Sequence, residues 1–349
     1  MKPFRNGLVV GKFSPLHAGH RHLIDTALTR CDRVMLLSWS VPELPECPAE
    51  TRLRWLKNAY PQCLIHAITR ASVESLKQTC AALRSLPPNT APDIEHRLFV
   101  GEYCQNVAGF IPDAVFTGED YGEGFAKELS SFYSKNHGLN IHVKHVFVAR
   151  DGIISGTVIR EDVHQWRDAL APFVYASFVK RVCFLGGEST GKSTMARVMA
   201  ETYSTRHVAE YGRERWEEQQ GKLLYTDMLE IAQTQIAWEN SAALESREWL
   251  FCDTSPLTTL FYSEAMFGDA DAKLVELANR SYSMIFLCED DFPFVQDGTR
   301  MDDAFRKRQQ RWYEAQLTKR RIPYIRLCGT PDERISDCIK TLGSLSKRR

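Results

Sequence analysis

A short run just past the middle of the chain carries the most specific chemical pattern in the sequence. Residues 186–193 read Gly-Gly-Glu-Ser-Thr-Gly-Lys-Ser, which matches G-x-x-x-x-G-K-[ST], and Thr194 follows. In such a loop the glycines let backbone N–H groups converge on phosphate oxygens, the lysine reaches the β- and γ-phosphates, and the hydroxyl holds Mg²⁺. The pattern predicts a nucleoside triphosphate site with Lys192 as a catalytic residue. The nucleotide-binding residues predicted here are Gly186, Glu188, Ser189, Thr190, Gly191, Ser193 and Thr194.

Two carboxylates are expected to face this loop. Glu210 and Asp253 each follow a short apolar run that is typical of a strand, and ligands of open parallel sheets lie beyond the carboxyl ends of strands. Asp253 would accept the proton of an attacking hydroxyl or organise Mg²⁺ together with Ser193. The alternative is that Asp253 only caps the helix that begins near Ser255.

A second phosphate-site pattern lies near the N-terminus. His17-Ala18-Gly19-His20 follows the apolar run 7–10 and precedes a helical pattern. A helix start offers N–H groups, and the two histidines can donate to phosphate oxygens while a P–O bond breaks. On its own the string is short, and ordinary surface histidines are the alternative.

The elements around these motifs alternate between strands and helices. Apolar runs at 7–10, 34–38, 114–116, 181–185, 250–252, 284–288 and 324–327 read as strands with helical patterns between them, which favours parallel α/β sheets. The stretch 86–92 is rich in proline and predicts an exposed insertion. With 349 residues the chain exceeds one ordinary core. We expect two domains, 1–172 and 173–349, joined near residues 171–179.

Composition excludes several classes of protein. Lys+Arg 44 balances Asp+Glu 44, so no general affinity for nucleic acid is expected, and the basic tail 347–349 reads as a solvated end. Ten cysteines occur without C-x-x-C pairs. Cys183, Cys252 and Cys288 lie in apolar runs and read as core residues of a reducing compartment. No apolar run approaches membrane-spanning length, so a cytoplasmic protein without membrane insertion is expected.

The two N-terminal motifs together resemble those of the H-x-G-H nucleotidyltransferases. Residues 11–20 pair with 154–160, Ile-Ser-Gly-Thr-Val-Ile-Arg, in which hydroxyls precede a helix with an arginine in its first turn. With residues 53–56 between them and the phosphate loop after them, nearly the whole chain resembles the NadR family, which fuses a nicotinamide mononucleotide adenylyltransferase to a ribosylnicotinamide kinase. The resemblance implies an α/β fold with an N-terminal Rossmann-like nucleotidyltransferase domain and a P-loop kinase domain, both built on parallel sheets.

The resemblance also implies roles for individual residues. In the transferase, His17 and His20 would be catalytic, and the nucleotide would contact Gly11, Lys12, Phe13, Ser155, Thr157 and Arg160. Residues 297–300, with Arg306 and Arg308 beyond them, resemble the arginine-bearing lid of small-molecule kinases and assign Arg300 and Arg308 to ATP. A polar surface loop leading into a basic helix is the alternative for each arginine. The substrate-binding residues implied are Arg52, Trp55, Glu210 and Arg213.

The base-stacking residue of the kinase is left open by the sequence. Some relatives carry a tryptophan just before Glu-Tyr-Gly-Arg, whereas Ala209 stands there in this chain. Trp238 and Tyr211 are the substitutes considered, with core packing as the alternative role of each.

The function implied is bifunctional NAD salvage with ATP and Mg²⁺. The kinase would phosphorylate nicotinamide riboside, and the transferase would join the mononucleotide (NMN) to AMP, giving NAD and pyrophosphate. One alternative is a fused transferase and kinase for another small metabolite, and another is a nucleotide-sensing regulator with slow turnover. The expected partners are these small molecules and no nucleic acid; a functional link to a riboside transporter and homo-oligomerisation stay open.

Overall fold

The computed structural model describes residues 2–149, 152, 154–296, 298 and 300–346. The chain divides into two compact units, Met1–Ser177 and Phe178–Arg349. The sequence-based boundary at 172/173 falls instead inside the first unit, at the start of a short helix, Pro172–Tyr175. The basic tail 347–349 and two positions of the lid motif, Asp297 and Thr299, lie outside the described residues.

The first unit is built on a five-stranded sheet in the order β3-β2-β1-β4-β5. Its strands are β1 (Phe4–Val10), β2 (Cys31–Ser38), β3 (Leu64–Ala67), β4 (Ala114–Thr117) and β5 (Lys144–Phe147). All neighbouring pairs are parallel. The strand order reverses at β1, so the carboxyl end of β1 marks the crevice where an α/β sheet of this kind binds its ligands.

The helices of the first unit connect these parallel strands. They are α1 (Ala18–Arg30), α2 (Ala49–Ala59), α3 (Arg70–Lys77), α4 (Asp93–Asn106), α5 (Gly122–His137), α6 (Gly156–Glu161) and α7 (Pro172–Tyr175). Leu8, Met35 and Val115 of the strands pack with Phe99 of α4 and Leu129 of α5 in one buried cluster. This packing holds α4 and α5 against the sheet.

The second unit repeats the principle with the order β10-β9-β6-β8-β7. Its strands are β6 (Lys180–Leu185), β7 (His207–Val208), β8 (Trp249–Asp253), β9 (Met284–Cys288) and β10 (Ile325–Leu327). The neighbouring pairs are again parallel. The connecting helices are α8 (Lys192–Thr202), α9 (Tyr211–Glu218), α10 (Tyr225–Glu245), α11 (Pro256–Phe267), α12 (Ala272–Leu277), α13 (Asp303–Lys319) and α14 (Pro331–Ser346).

The strand core of the second unit is apolar on both faces. One cluster joins Val182 and Phe184 of β6 to Met195 of α8, and another joins Cys183 and Leu185 to α10 and α11. A central parallel strand covered by helices on both faces has this pattern. The prediction that Cys183, Cys252 and Cys288 are core residues is confirmed, because all of them are buried and free.

The proline-rich stretch 86–92 is only partly the exposed insertion that its composition predicts. Leu86 is buried, and the backbone N–H of Asn89 donates to Val41 O at 2.8 Å. The Asn89 side chain also binds Ser40 Oγ and the N–H of Val41. Hydrogen bonds with Ser40 and Val41, just after β2, therefore fix the position of this loop.

Among the described helices, none combines the length and the apolar character that a bilayer span requires.

Candidate active sites

A cavity of about 530 Å³ opens at the carboxyl end of β1 in the first unit. It contains most of the transferase residues that the sequence predicted: Gly11, Lys12, His17, His20, Ser155, Thr157 and Arg160. Phe13 is not part of this wall. It is fully buried with a φ of 48°, and its ring packs edge-on against His20 at 4.9 Å between centroids. Phe13 thus contacts His20 from the protein core and does not face the cavity.

The two histidines lie side by side at the start of α1. His17 is the N-cap of that helix, and its Nδ1 accepts the N–H of Gly19 at 3.0 Å. Because Nδ1 accepts, the neutral ring carries its proton on Nε2 and can donate from there. The rings of His17 and His20 are 4.0 Å apart between centroids. The motif therefore presents two imidazoles to one cavity, as the phosphate-site interpretation requires.

The start of α6 closes the cavity beside these histidines. Ser155 is the N-cap and accepts from the N–H of Val158 at 3.3 Å. Arg160 donates to Thr157 Oγ1 at 2.9 Å and to the carbonyl of Ser14 at 2.7 Å. A Cβ added to Gly156 would lie 3.1 Å from His17 Nε2. The absent side chain at residue 156 keeps the helix start close to the imidazole.

We expect the substitution His20→Ala to slow adenylyl transfer by about 10²–10³, the usual scale for losing one donor aimed at charge that develops in the transition state. The KM of the mononucleotide should change little, because the interaction strengthens only as the P–O bond breaks. Steady-state pyrophosphate release measures both parameters. An unchanged turnover number in a folded variant would return His20 to the role of a surface residue.

Arg52 and Trp55 do not line this cavity. Arg52 is fully buried and its Nη2 binds Glu43 Oε1 at 3.0 Å, while the Trp55 indole N–H donates to Ser177 Oγ at 3.0 Å. Within the described residues, the Nε and Nη1 atoms of Arg52 have no hydrogen-bond partner. The substrate-binding role of these two residues stays a prediction.

The phosphate loop of the second unit joins β6 to α8 through strained backbone. Gly186 has a φ of 142°, and a Cβ there would lie 2.5 Å from the carbonyl oxygen of Cys288, so only glycine fits. Ser189 has a φ of 57° and Gly191 has a φ of 85°. The ammonium of Lys192 donates to the carbonyl of Gly187 at 2.8 Å. The loop therefore has a tightly curved backbone, and the side chain of Lys192 lies across it.

Thr194 belongs to the first turn of α8, directly after Lys192 and Ser193. It lies outside the residues that line the cavity of about 670 Å³ above this loop. Its predicted nucleotide contact would therefore come from the helix start, where N–H groups are available to phosphate.

Glu210 and Asp253 are brought together with Lys192, as their strand-end positions predicted. Burial raises the pKa of Glu210 to about 7, with repulsion from Asp253 as the next cause and attraction to Lys192 opposing both. Burial also raises the pKa of Asp253, against the effects of Lys192 and of a hydrogen bond with Ser193. Two neighbouring carboxyls whose pKa values are raised together are suited to accepting a proton.

The capping alternative for Asp253 is wrong. The N-cap of α11 is Ser255, whose side chain accepts the N–H of Leu257 at 3.2 Å. Asp253 is 3% exposed, and its Oδ1 has no partner among the described residues. The carboxylate is therefore held in the interior for a reason other than helix capping.

The donor set beside the loop fits Mg²⁺. Ser193 and Asp253 offer oxygen ligands at the loop, and Mg²⁺ commonly takes one or two protein oxygens together with substrate phosphates. Across the described residues, no group of three His, Cys, Asp or Glu side chains is arranged as a metal cage. The predicted metal residues thus suit an ion that arrives with the nucleotide.

A cavity of about 670 Å³ lies above the loop. Its wall includes the predicted residues Glu188, Ser189, Lys192, Glu210, Arg213, Arg300 and Arg308. The predicted residues that lie outside this wall are Gly186, Thr190, Gly191, Ser193 and Asp253, and Thr190 is fully buried. Three aromatic side chains, those of Trp216, Tyr262 and Phe305, also belong to the wall.

The lid residues contact the phosphate loop directly. Arg300 Nη1 donates to Ser189 Oγ at 3.3 Å, and Glu188 accepts both the N–H of Met301 at 2.8 Å and the hydroxyl of Tyr262 at 2.9 Å. Arg308 is exposed and lies over the ring of Phe305 at 5.0 Å. Arg306 is buried and pairs with Asp303 instead. The arginines of this segment therefore have different roles.

Sequence reasoning missed several cavity residues. Trp238 and Tyr211 contact each other at 4.9 Å between centroids and do not line the cavity, whereas Trp216 does. Gln309 and Gln310 of α13 accept the N–H groups of Glu188 and Gly187. Only long-range packing brings α9 and α13 to the loop, so no local pattern marked these residues. In the first unit, Trp39 directly follows β2, and the strand-end rule would have found it.

Together these features define a class of protein. A parallel α/β unit with an H-x-G-H cavity precedes a parallel α/β unit with a phosphate loop and two carboxylates, as in a nucleotidyltransferase fused to a P-loop kinase.

Comparison with known proteins narrows the class. Residues 181–334 match a family model described as an AAA domain. The chain is 27% identical over 92% of its length to the trifunctional NAD biosynthesis/regulator protein NadR of Escherichia coli (strain K12), covering 78% of that protein. It is 26% identical over 84% of its length to the protein of the same name from Salmonella typhimurium, covering 71% of it. The chain is therefore homologous to NadR.

Solved structures agree in fold. Crystal structures of NadR protein in complex with NR, and in complex with NAD and AMP-PNP, each match 99% of this chain and 97% of their own, with a TM-score of 0.69 and 18% identity.

Proposed function

We propose that this chain converts nicotinamide riboside to NAD in two steps, each with its own molecule of ATP. The observation that carries the proposal is the order of the two sites along a chain that is homologous to NadR over 92% of its length. The solved relatives bind NR in one structure and NAD with AMP-PNP in another. The first unit would be the adenylyltransferase and the second the kinase, with cytoplasmic ATP and Mg²⁺ as the other reactants.

In the kinase step, the 5′-hydroxyl of the riboside attacks the γ-phosphorus of ATP, and the bond from that phosphorus to the β–γ bridging oxygen breaks. Asp253 takes the hydroxyl proton, and Glu210 and Arg213 line the acceptor side of the cavity. Lys192 and the loop N–H groups stabilise the negative charge on the β- and γ-phosphates during the transfer. Bound Mg²⁺ would supply further neutralisation of that charge.

In the transferase step, a phosphate oxygen of the mononucleotide attacks the α-phosphorus of ATP and pyrophosphate leaves. Neither reaction needs a covalent enzyme intermediate, because positioning and charge stabilisation suffice. His17 and His20 would donate to the reacting phosphates, and Arg160, Ser155 and Thr157 would hold the triphosphate.

Trp216 is the residue that we assign to the nicotinamide ring in the kinase cavity. Its ring lies in the cavity wall with Tyr262 and is backed by the turn at Gly221, where an added Cβ would lie 3.0 Å from Trp216 Cζ2. Trp216 would thus take the role of the tryptophan that some relatives carry at the position of Ala209.

For Trp216→Ala we expect the KM of the riboside in the kinase reaction to rise about tenfold, the scale for losing one base–aromatic stack. The KM of ATP should stay within about twofold of the wild-type value. Trp216→Phe keeps an aromatic face and serves as the matched control. Equal losses in both variants, or a change in the KM of ATP alone, would argue that Trp216 only packs the wall.

The proposal is tested by following ADP and pyrophosphate separately. Purified protein with ATP and Mg²⁺ should release ADP when nicotinamide riboside is added and pyrophosphate when the mononucleotide is added. A panel of other ribosides tests the alternative acceptors, and ATP turnover that ignores every acceptor would favour the sensor.

A further inference from the structure

Helix α13 lies directly on the phosphate loop of the second unit. Gly187 has no side chain, and a Cβ added there would lie 2.8 Å from the carbonyl oxygen of Arg306 and 2.8 Å from its Cγ. A side chain at residue 187 would therefore collide with the helix. Glycine at this position lets the backbone of the loop approach the backbone of α13.

Two consecutive glutamines of α13 fix this contact. Gln310 Oε1 accepts the N–H of Gly187 at 3.0 Å, and Gln309 Oε1 accepts the N–H of Glu188 at 3.0 Å. Gln309 is 1% exposed and Gln310 is 5% exposed. The Gln310 amide nitrogen donates to Glu289 Oε2 at 3.3 Å, which turns the oxygen of that side chain toward the loop. Removing either oxygen would leave a loop N–H without its acceptor, which is costly where water is excluded.

The glutamines also determine which loop groups can bind phosphate. An N–H that already donates to a buried amide oxygen is not available to a phosphate oxygen, and this applies to Gly187 and Glu188. Phosphates are thus left to Lys192 and to the N–H groups at the start of α8. Further stabilisation of the transferring phosphoryl group must come from cations that other elements bring to the loop.

Arg308 is a cation that α13 brings to the cavity. It directly precedes Gln309, and both residues belong to the cavity wall. Its guanidinium lies over the ring of Phe305 at 5.0 Å, and Phe305 belongs to the same helix. The position of the guanidinium relative to the loop is therefore set by where α13 lies, and the glutamines set that.

We propose that Gln309 and Gln310 are positioning residues of the kinase, which hold Arg308 beside the phosphoryl group in transfer. This assignment rests on the proposed function and adds the residues that align the helix with the loop. Charge spreads over the oxygens of a phosphoryl group in transfer, and an arginine aimed at it raises kcat. Glutamine suits this position because its oxygen accepts from the loop without bringing a negative charge to the phosphates, which a carboxylate would repel.

The test measures kcat and KM of riboside phosphorylation by the full chain. Gln309→Met keeps the length of the side chain and removes the acceptor oxygen. It should lower kcat by about 10², the cost of a displacement of about 1 Å at a reacting centre. The KM of ATP and that of the riboside should stay within about twofold of wild type, because the interaction strengthens only in the transition state. Gln316→Met, in the same helix but outside the cavity wall, is the matched control and should keep the wild-type kcat.

A double-mutant cycle separates positioning from general damage to the fold. Arg308→Ala should lower kcat by about 10³ in wild type, the lower end of the range for an arginine of this kind. In the Gln309→Met background it should cost only about tenfold more, because a displaced guanidinium has less to lose. If Gln309→Met does not fold, Gly187→Ala displaces α13 from the other side of the contact and takes its place in the cycle. Equal losses in both backgrounds, or a higher KM with an unchanged kcat, would overturn the inference.

A binding measurement separates this inference from the proposed function. Aluminium fluoride with ADP and Mg²⁺ imitates the transferring phosphoryl group, and a transition-state analogue binds more tightly than a ground-state ligand. Wild type should therefore bind ADP more tightly with aluminium fluoride than without it. Gln309→Met should lose most of that gain and bind ADP alone as wild type does. If the riboside is not phosphorylated, the proposed function fails and this comparison still decides the inference. No gain in wild type, or an equal gain in Gln309→Met, would overturn it.

Discussion

Lys192→Ala should abolish riboside phosphorylation and leave NAD formation from supplied mononucleotide at the wild-type rate. Lys192 lines only the cavity of the second unit, and its ammonium already folds over the loop at Gly187 O. Without it the β- and γ-phosphates lose their positioned cation, which phosphoryl transfer needs because positioning and electrostatics supply nearly all of its catalysis. ADP release with the riboside and pyrophosphate release with the mononucleotide measure the two activities on one preparation.

The matched control for this variant is Lys222→Ala, a lysine beyond α9 that does not line the cavity. It should keep both activities. Loss of both activities in folded Lys192→Ala would contradict the separation of the two reactions into two sites.

Asp253→Asn should lower kinase turnover by about 10²–10⁴, the range that a positioned general base contributes. The amide has nearly the same size, so the KM of the riboside should move little. The control is Asp269→Asn, an exposed carboxylate in the loop after α11, whereas Asp253 is buried beside Lys192 and Ser193. A fully active Asp253→Asn enzyme would contradict the assignment and transfer the role to Glu210.

The same variant should gain thermal stability without ligands. The pKa of Asp253 is raised in the folded protein, chiefly by burial, so the folded state binds more protons than the unfolded state between the two pKa values. Wild type therefore loses stability as pH rises through that interval, whereas asparagine has no proton to lose. The Tm of Asp253→Asn should exceed that of wild type at pH 8, and the gap should close toward about pH 4, near the unfolded-state pKa of an aspartate. A lower Tm at pH 8 would contradict the burial argument.

Much of this fold was readable from the sequence because its signals are local. Apolar runs followed by a glycine or a carboxylate predicted β1, β6 and β8 together with the chemistry at their carboxyl ends, and the structure differs there by only a few residues. The alternative that Asp253 caps α11 was wrong because three hydrogen-bonding side chains, Asp253, Thr254 and Ser255, directly precede the helix, and Ser255 is the one that bonds.

The cavity walls were harder to foresee. Trp216 and Gln309 reach the second cavity from helices that lie outside the phosphate-loop motif in sequence, and the partner of Arg52 is a glutamate in an irregular loop. Such contacts depend on how whole elements pack, and one sequence carries no period or motif that encodes them. The side chains that we assign to substrate selection could therefore be identified only from the structure.

The measurement that tests the central claim most directly is a time course with isotopically labelled nicotinamide riboside, ATP and Mg²⁺, followed by mass. The account predicts that labelled mononucleotide appears first, that labelled NAD follows, and that pyrophosphate is released in step with NAD. ATP consumption with no label in either the mononucleotide or NAD would contradict the account.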